Sequence, residues 1–312
     1  MPRLDPAMAE ILAMLERRAL PPYETMPPAT ARAECEVRNA FWNADPPSLA
    51  EIEDVTIEGP RGPLHLRLYV PEGAGELSPA VVYLHGGGWV IGSLDTHDHV
   101  CRRLARSSGL KVVSVAYGLA PEHPFPQGLA DIVHTLRWLY EHGASEGVDP
   151  TRIAIAGDSA GANLALAACL RLRDAGEPLP RSAALVYGVW SPDLDSPSHA
   201  AFGDGRYFLS TATMAWFWDH YVPEPSGRGD PLVSPLFADL RGLPPIYLSA
   251  AELDPLRDDS ERLARRLIEA GVDLDWRLWR GVTHGCFQMS RMLPRAELFI
   301  AEVAGFLARN VG

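Results

Sequence analysis

Five short apolar runs lack any polar alternation: residues 80–84, 112–116, 153–156, 183–187 and 246–250, each bounded by glycine, proline or charge. Only a strand covered on both faces tolerates such a run, because a half-exposed strand needs a polar residue at every second position. Segments of helical length lie between or beside them, at 95–108, 127–142, 160–175 and 257–270. Strand therefore alternates with helix, and the class expected is α/β, a mostly parallel sheet flanked by helices. Ahead of these runs the period is two. Val55 and Ile57, then Leu64, Leu66, Leu68 and Val70, flank Gly59-Pro60-Arg61-Gly62 and predict an antiparallel hairpin with one buried face. A strand over 274–279 and a helix over 294–307 complete an eight-stranded sheet, with strands after the hairpin parallel.

Two stretches break this rhythm. Met8, Ile11, Leu12 and Leu15 recur at helical spacing over 7–18, and a proline-rich stretch without further helix follows to Pro47. Residues 190–230 separate two strands by more than a plain connection needs, and are rich in Trp, Tyr, Phe and Pro. They are expected to carry one helix, 210–221, with Trp216, Phe217, Trp218 and Tyr221. The organisation expected is an N-terminal cap segment (1–50), the first part of the core (51–189), a cap insertion (190–230) and the second part of the core (231–312). The two irregular stretches together would form a helical cap over one end of the sheet.

Composition narrows the function. A net charge of -12 would repel a nucleic-acid backbone or an anionic lipid surface. No apolar run approaches the roughly 20 residues of a membrane span. Cys35, Cys101, Cys169 and Cys286 show no paired spacing, so reduced thiols and a cytoplasmic location are expected. His97-Asp98-His99 has a metal-like look, but a separation of two on a helix turns the rings to different faces, and no metal is expected. Neither a G-K-[ST] nor a G-x-G-x-x-G pattern occurs, and no cofactor is expected.

Gly157-Asp158-Ser159-Ala160-Gly161 joins the strand 153–156 to the helix 160–175. A serine between glycines on so tight a turn is a nucleophile elbow: larger neighbours would collide with adjacent chain, and the helix N-terminus aims free amides at charge developing on the serine. His85-Gly86-Gly87-Gly88-Trp89 follows another strand, where glycines let the backbone turn N–H groups toward an oxyanion. Serine needs a base and the base an orienting carboxylate. His284 lies beyond the last strand, and Asp254 follows the strand 246–250; Glu252, Asp258 and Asp259 are rivals for the acid. The order Ser159, Asp254, His284 matches the known serine-hydrolase arrangement on this kind of sheet.

Taken with Gly92-Ser93-Leu94-Asp95-Thr96-His97, Tyr117-Gly118-Leu119-Ala120-Pro121-Glu122-His123-Pro124 and Asp254-Pro255-Leu256-Arg257-Asp258, these motifs make residues 52–284 resemble the hormone-sensitive-lipase-like (bacterial family IV) carboxylesterases of the α/β-hydrolase superfamily. The resemblance implies the α/β-hydrolase fold, Ser159 as nucleophile with Asp254 and His284, and an oxyanion hole of the Gly87, Gly88 and Ala160 amides. The chain departs from the family's usual pattern at three places. Gly118 stands for an arginine, Ala162 for a glycine, and Cys286 precedes Phe287 where an aromatic residue usually follows the His-Gly pair directly.

The activity expected is that of a serine carboxylesterase on short- to medium-chain acyl esters, working through an acyl-enzyme. An amidase or formamidase would use the same triad, and a non-catalytic ligand-binding homologue the same fold. Trp89, Trp190, Phe208 and Trp216, with Val282 and Phe287 near His284, are the expected substrate-binding residues, since their aromatic and aliphatic surfaces suit an enclosed apolar pocket. Partners are expected to be a small ester and, at most, further copies of the chain.

Overall fold

The computed structural model describes residues 3–311. The chain runs through α1 (Pro6–Arg18), α2 (Pro28–Ala40), β1 (Glu51–Gly59), β2 (Gly62–Val70), β3 (Ser78–Leu84), α3 (Asp98–Ser108), β4 (Lys111–Val115), α4 (Gln127–His142), β5 (Val148–Asp158), α5 (Ala160–Asp174), β6 (Ala183–Val186), α6 (Pro197–Phe202), α7 (Thr211–Tyr221), β7 (Ile246–Leu253), α8 (Arg257–Glu269), β8 (Leu274–Thr283) and α9 (Pro294–Val311). Eight strands form one sheet in the order β1-β2-β4-β3-β5-β6-β7-β8. β2 runs antiparallel to both β1 and β4, and β3 to β8 are mutually parallel.

Why the central runs lack alternation is visible in their packing. Val82, Leu84, Val113, Ile155 and Leu185 point into a core shared with α4, α5 and α8, while Val81, Tyr83, Val112, Ala154 and Val186 point into a second core built with α1, α3 and α9. Both faces of each strand are dry, so the runs are apolar apart from the small buried Ser114 and Ser249. β5 and β3, at the middle of the sheet, end side by side; Gly157 pairs with Leu84. The turn after β5 and the loop after β3 thus emerge together, which is the geometric basis of the site.

Three sequence expectations need correction. The stretch before Pro47 contains α2, whose second proline, Pro28, sits in the first turn, where a missing N–H costs nothing. Only Ala31 and Cys35 of this helix are buried, too little apolar pattern to announce it. The insertion holds two helices, α6 and α7, instead of one. α3 begins at Asp98, with His97 as its N-terminal cap position, so His97 and His99 do not share a helix.

The irregular segments are tied down at several points. α1 lies along β8, where the Asp5 amide donates to the Gly281 carbonyl at 2.9 Å. Glu24 accepts from Thr213 at 2.6 Å and Ser210 at 3.3 Å, both at the start of α7. The Arg32 guanidinium of α2 reaches the carbonyls of Val90 (2.8 Å) and Ala120 (2.7 Å). α6 is anchored by its Ser198, whose amide donates to Asp258 at 2.8 Å and whose hydroxyl donates to the Pro255 carbonyl at 2.6 Å. Among the described residues no helix is long and apolar enough to cross a membrane.

Candidate active site

Ser159 occupies the turn from β5 into α5 with φ 55° and ψ -119°, a region that non-glycine residues enter only under strain. Its neighbours show why glycine is required. A Cβ on Gly161 would come within 2.0 Å of the Leu84 carbonyl oxygen, and one on Gly157 within 2.5 Å of Gly161. The Ser159 amide is spent on the Val186 carbonyl at 2.9 Å, which fixes the turn to β6.

His284 follows β8 and Asp254 follows β7, at the carboxyl ends of adjacent parallel strands. His284 Nε2 lies 3.0 Å from Ser159 Oγ, and His284 Nδ1 lies 2.7 Å from Asp254 Oδ2. Asp254 Oδ1 accepts from the Leu256 amide at 2.9 Å, so the carboxylate cannot rotate away. All three residues are buried. The rival acids are engaged elsewhere: Glu252 accepts from the Gly281 amide, Asp258 from Ser198, and Asp259 pairs with Arg262.

The loop after β3 brings Gly87 (φ 121°) and Gly88 (φ 58°) up beside this turn. A Cβ on Gly87 would strike the Ile91 carbonyl at 2.1 Å, so the close backbone approach itself excludes a side chain. Among the described residues, the amides of Gly87, Gly88 and Ala160 donate no hydrogen bond. Next to Ser159, Asp158 is fully buried and bonded to Tyr83, Gly86 and Gln288. Burial would raise its carboxyl, but His97, 3.4 Å away, with the Tyr83 and Gln288 donors, outweighs that and holds it at about 2. His85 in the same loop stacks on Tyr117 and is pushed down to about 4 by burial and by the neighbouring His97.

The expected substrate-binding residues are dispersed. Trp89 stacks on Tyr221 at 4.2 Å and joins the glycine loop to α7. Trp190 is fully buried and donates to Ser260 of α8 at 3.0 Å. Trp216 turns toward His220, Phe287 packs on Phe299 of α9, and Val282 is buried in the core containing α9. Phe208, half exposed at 47% and at φ 79°, places its ring over Gly285, where a Cβ would come within 2.7 Å of it. Phe217, absent from the expected set, lies directly on Gly88, where a Cβ would come within 2.1 Å of its ring. The signal for it was the face of α7 formed by Phe217, Trp218 and Tyr221, at i, i+1 and i+4; the rotation of that helix turns Trp216 aside.

One departure from the family pattern is explained by Arg61, in the β1–β2 turn. Its guanidinium donates to Asp131 at 2.5 Å and also reaches Gln127. A Cβ on Gly118 would lie 2.5 Å from its Nη2, while the Gly118 amide donates to the same Asp131 carboxylate at 2.9 Å. A guanidinium is thus supplied beside Gly118 from a distant part of the chain.

Comparison with known proteins agrees with this architecture. Residues 81–288 match the family described as alpha/beta hydrolase fold. The ethyl acetate hydrolase of Pseudomonas putida is 34% identical, with 99% of each chain covered. The carboxylic ester hydrolase LipN of Mycobacterium tuberculosis is 37% identical over 85% of this chain and 70% of its own. The crystallised hyperthermophilic esterase from the archaeon Pyrobaculum calidifontis superposes with a TM-score of 0.94 at 39% identity, covering 100% of both chains. With a mostly parallel sheet of this order and a serine turn at its centre, the chain belongs to the α/β-hydrolase-fold family, as a carboxylic ester hydrolase related to the bacterial hormone-sensitive-lipase-like esterases.

Proposed function

We propose that Ser159, His284 and Asp254 are the catalytic residues and that the amides of Gly87, Gly88 and Ala160 form the oxyanion hole. The reading rests on the unbroken run of contacts from Asp254 through His284 to Ser159, at 2.7 and 3.0 Å. In it, Ser159 Oγ attacks the ester carbonyl carbon while His284 Nε2 takes the hydroxyl proton. Asp254 holds Nδ1–H, fixing the tautomer and favouring the imidazolium that forms. The carbonyl oxygen, now negative, is met by preorganised N–H groups, the largest expected contribution to the rate. His284 then returns the proton to the leaving alkoxide, and water, activated by the same imidazole, hydrolyses the acyl-enzyme.

The substrates proposed are short- to medium-chain acyl esters. Phe208 over Gly285 and Phe217 over Gly88 support this, since they set apolar rings against the loops that carry His284 and the glycine amides. Trp89 is proposed to act from behind, by holding the glycine loop against α7, and Trp190, Trp216, Val282 and Phe287 to shape the pocket through their packing. A p-nitrophenyl ester series from acetate to palmitate tests the preference: kcat/KM should peak at or below about eight carbons. Faster turnover of emulsified long-chain triglyceride than of soluble butyrate esters would refute it. A cytoplasmic role without nucleic-acid partners is also proposed. It is supported by the net charge of -12 and by four free, buried cysteines whose thiols burial pushes up and so keeps unreactive.

A further inference from the structure

Asp158 takes part in none of the steps above, yet three segments that do take part meet at its carboxylate. It is the last residue of β5, directly before Ser159. Its Oδ1 accepts from the Gly86 amide at 3.0 Å, in the loop that continues into Gly87 and Gly88. Its Oδ2 accepts from the side-chain amide of Gln288 at 3.4 Å, four residues beyond His284. A Cβ on Gly86 would lie 2.6 Å from Oδ2, so the glycine loop rests directly on this carboxylate. The Tyr83 hydroxyl of β3 completes the set at 2.7 Å.

The donors balance. The Gln288 amide nitrogen has two hydrogens and two neighbours, Asp158 Oδ2 and His97 Nε2, the latter at 2.6 Å. His97 Nε2 also stands 3.4 Å from Asp158 Oδ1, and its Nδ1 faces Thr96 Oγ1 at 2.9 Å, so the same ring borders both members of the pair. A side chain that only filled this space would need no charge, since an apolar group of similar size avoids the cost of burying an ion. What the carboxylate adds is a set of directed acceptor bonds to backbone and side chain on separate loops.

We propose that Asp158 and Gln288 are a positioning pair, setting the glycine loop and the His284 loop in register with Ser159. The proposal rests on the triad reading. A shift of about 1 Å in such a constellation costs on the order of 100-fold in rate. Substrate binding, which depends on the apolar walls, should change little, so the loss should fall on kcat and not on KM.

An exchange of donor and acceptor tests this, with p-nitrophenyl butyrate as substrate. Asp158→Asn still offers an oxygen to Gly86 and Tyr83 but turns an NH2 toward that of Gln288. Gln288→Glu sets carboxylate against carboxylate. The double variant restores one donor facing one acceptor. Each single variant should lose about 10- to 100-fold in kcat with KM within about twofold, and the double variant should regain at least about tenfold over the slower single. Tyr83→Phe removes a donor to the same carboxylate from outside the three segments, and should lower the melting temperature while leaving kcat within about threefold. A folded single variant with wild-type kcat, a folded double variant no faster than the slower single, or a Tyr83→Phe loss equal to that of Asp158→Asn would each overturn the proposal. If a single variant does not fold, the double variant decides alone: restored kcat upholds the pair, and a folded protein with the deficit overturns it. Ser159→Ala run in parallel separates the two readings: retained activity there would sink the triad assignment and the pair's role with it, whereas activity lost there but unchanged in the folded single variants would sink the pair alone.

Discussion

Ser159 shows how local strain coincides with the chemistry proposed for one residue. Its φ of 55° costs on the order of 1–3 kcal/mol, and the turn persists because Gly157 and Gly161 let three stretches of backbone touch. Ser159→Ala should therefore leave the fold intact while kcat falls about 10⁴- to 10⁶-fold, measured on a soluble ester with folding checked by circular dichroism. Gly161→Ala should instead give little or no folded protein, since its Cβ meets backbone at 2.0 Å. Arg61 and Gly118 form a second residue-scale pair. Gly118→Arg alone should destabilise by about 1–3 kcal/mol through overpacking against Arg61, and adding Arg61→Ala should recover most of that in urea unfolding. Equal stability of the single and double variants would contradict the account.

At the scale of elements, the cap is decided by how α7 is rotated. Its aromatic run was legible in the sequence, but which ring lies on the glycine loop was not. Trp216, Phe217 and Trp218 are consecutive and equally apolar, and only packing on Trp89 and the glycine loop selects Phe217. Phe217→Ala should deepen the site and raise the ratio of kcat/KM for octanoate over acetate esters by about tenfold. An unchanged chain-length profile would place the acyl chain elsewhere. α2 escaped notice for a related reason: it buries only Ala31 and Cys35 and holds its place through Arg32, a long-range polar contact that no periodicity reports.

Across the whole molecule, stability should depend on acidity through two buried histidines. Burial, joined at His85 by its neighbour His97, pushes His85 and His99 down to about 4 from an ordinary 6.5. The unfolded chain then binds more protons than the native one between these values, so stability rises with pH across that window and is lost as pH falls from about 6.5 toward 4. The loss is on the order of 3 kcal/mol per histidine. Thermal unfolding followed from pH 7 to pH 4 should show a falling midpoint, with a shallower fall in His99→Gln; a flat midpoint across that range would contradict it.

The sequence by itself determined the alternation of buried strands and helices, the serine turn and the order of Ser159, Asp254 and His284. Each of these rests on local chemistry: both faces of a central strand are dry, and a tight turn admits only glycine two residues to either side of the serine. Tertiary structure alone decided that Arg61 stands beside Gly118, that Phe217 covers Gly88, and that Gln288 reaches Asp158. Those pairings join residues far apart in the chain through single side-chain contacts, and such contacts follow from how helices rotate and loops converge on the folded sheet, which no pattern along the chain encodes.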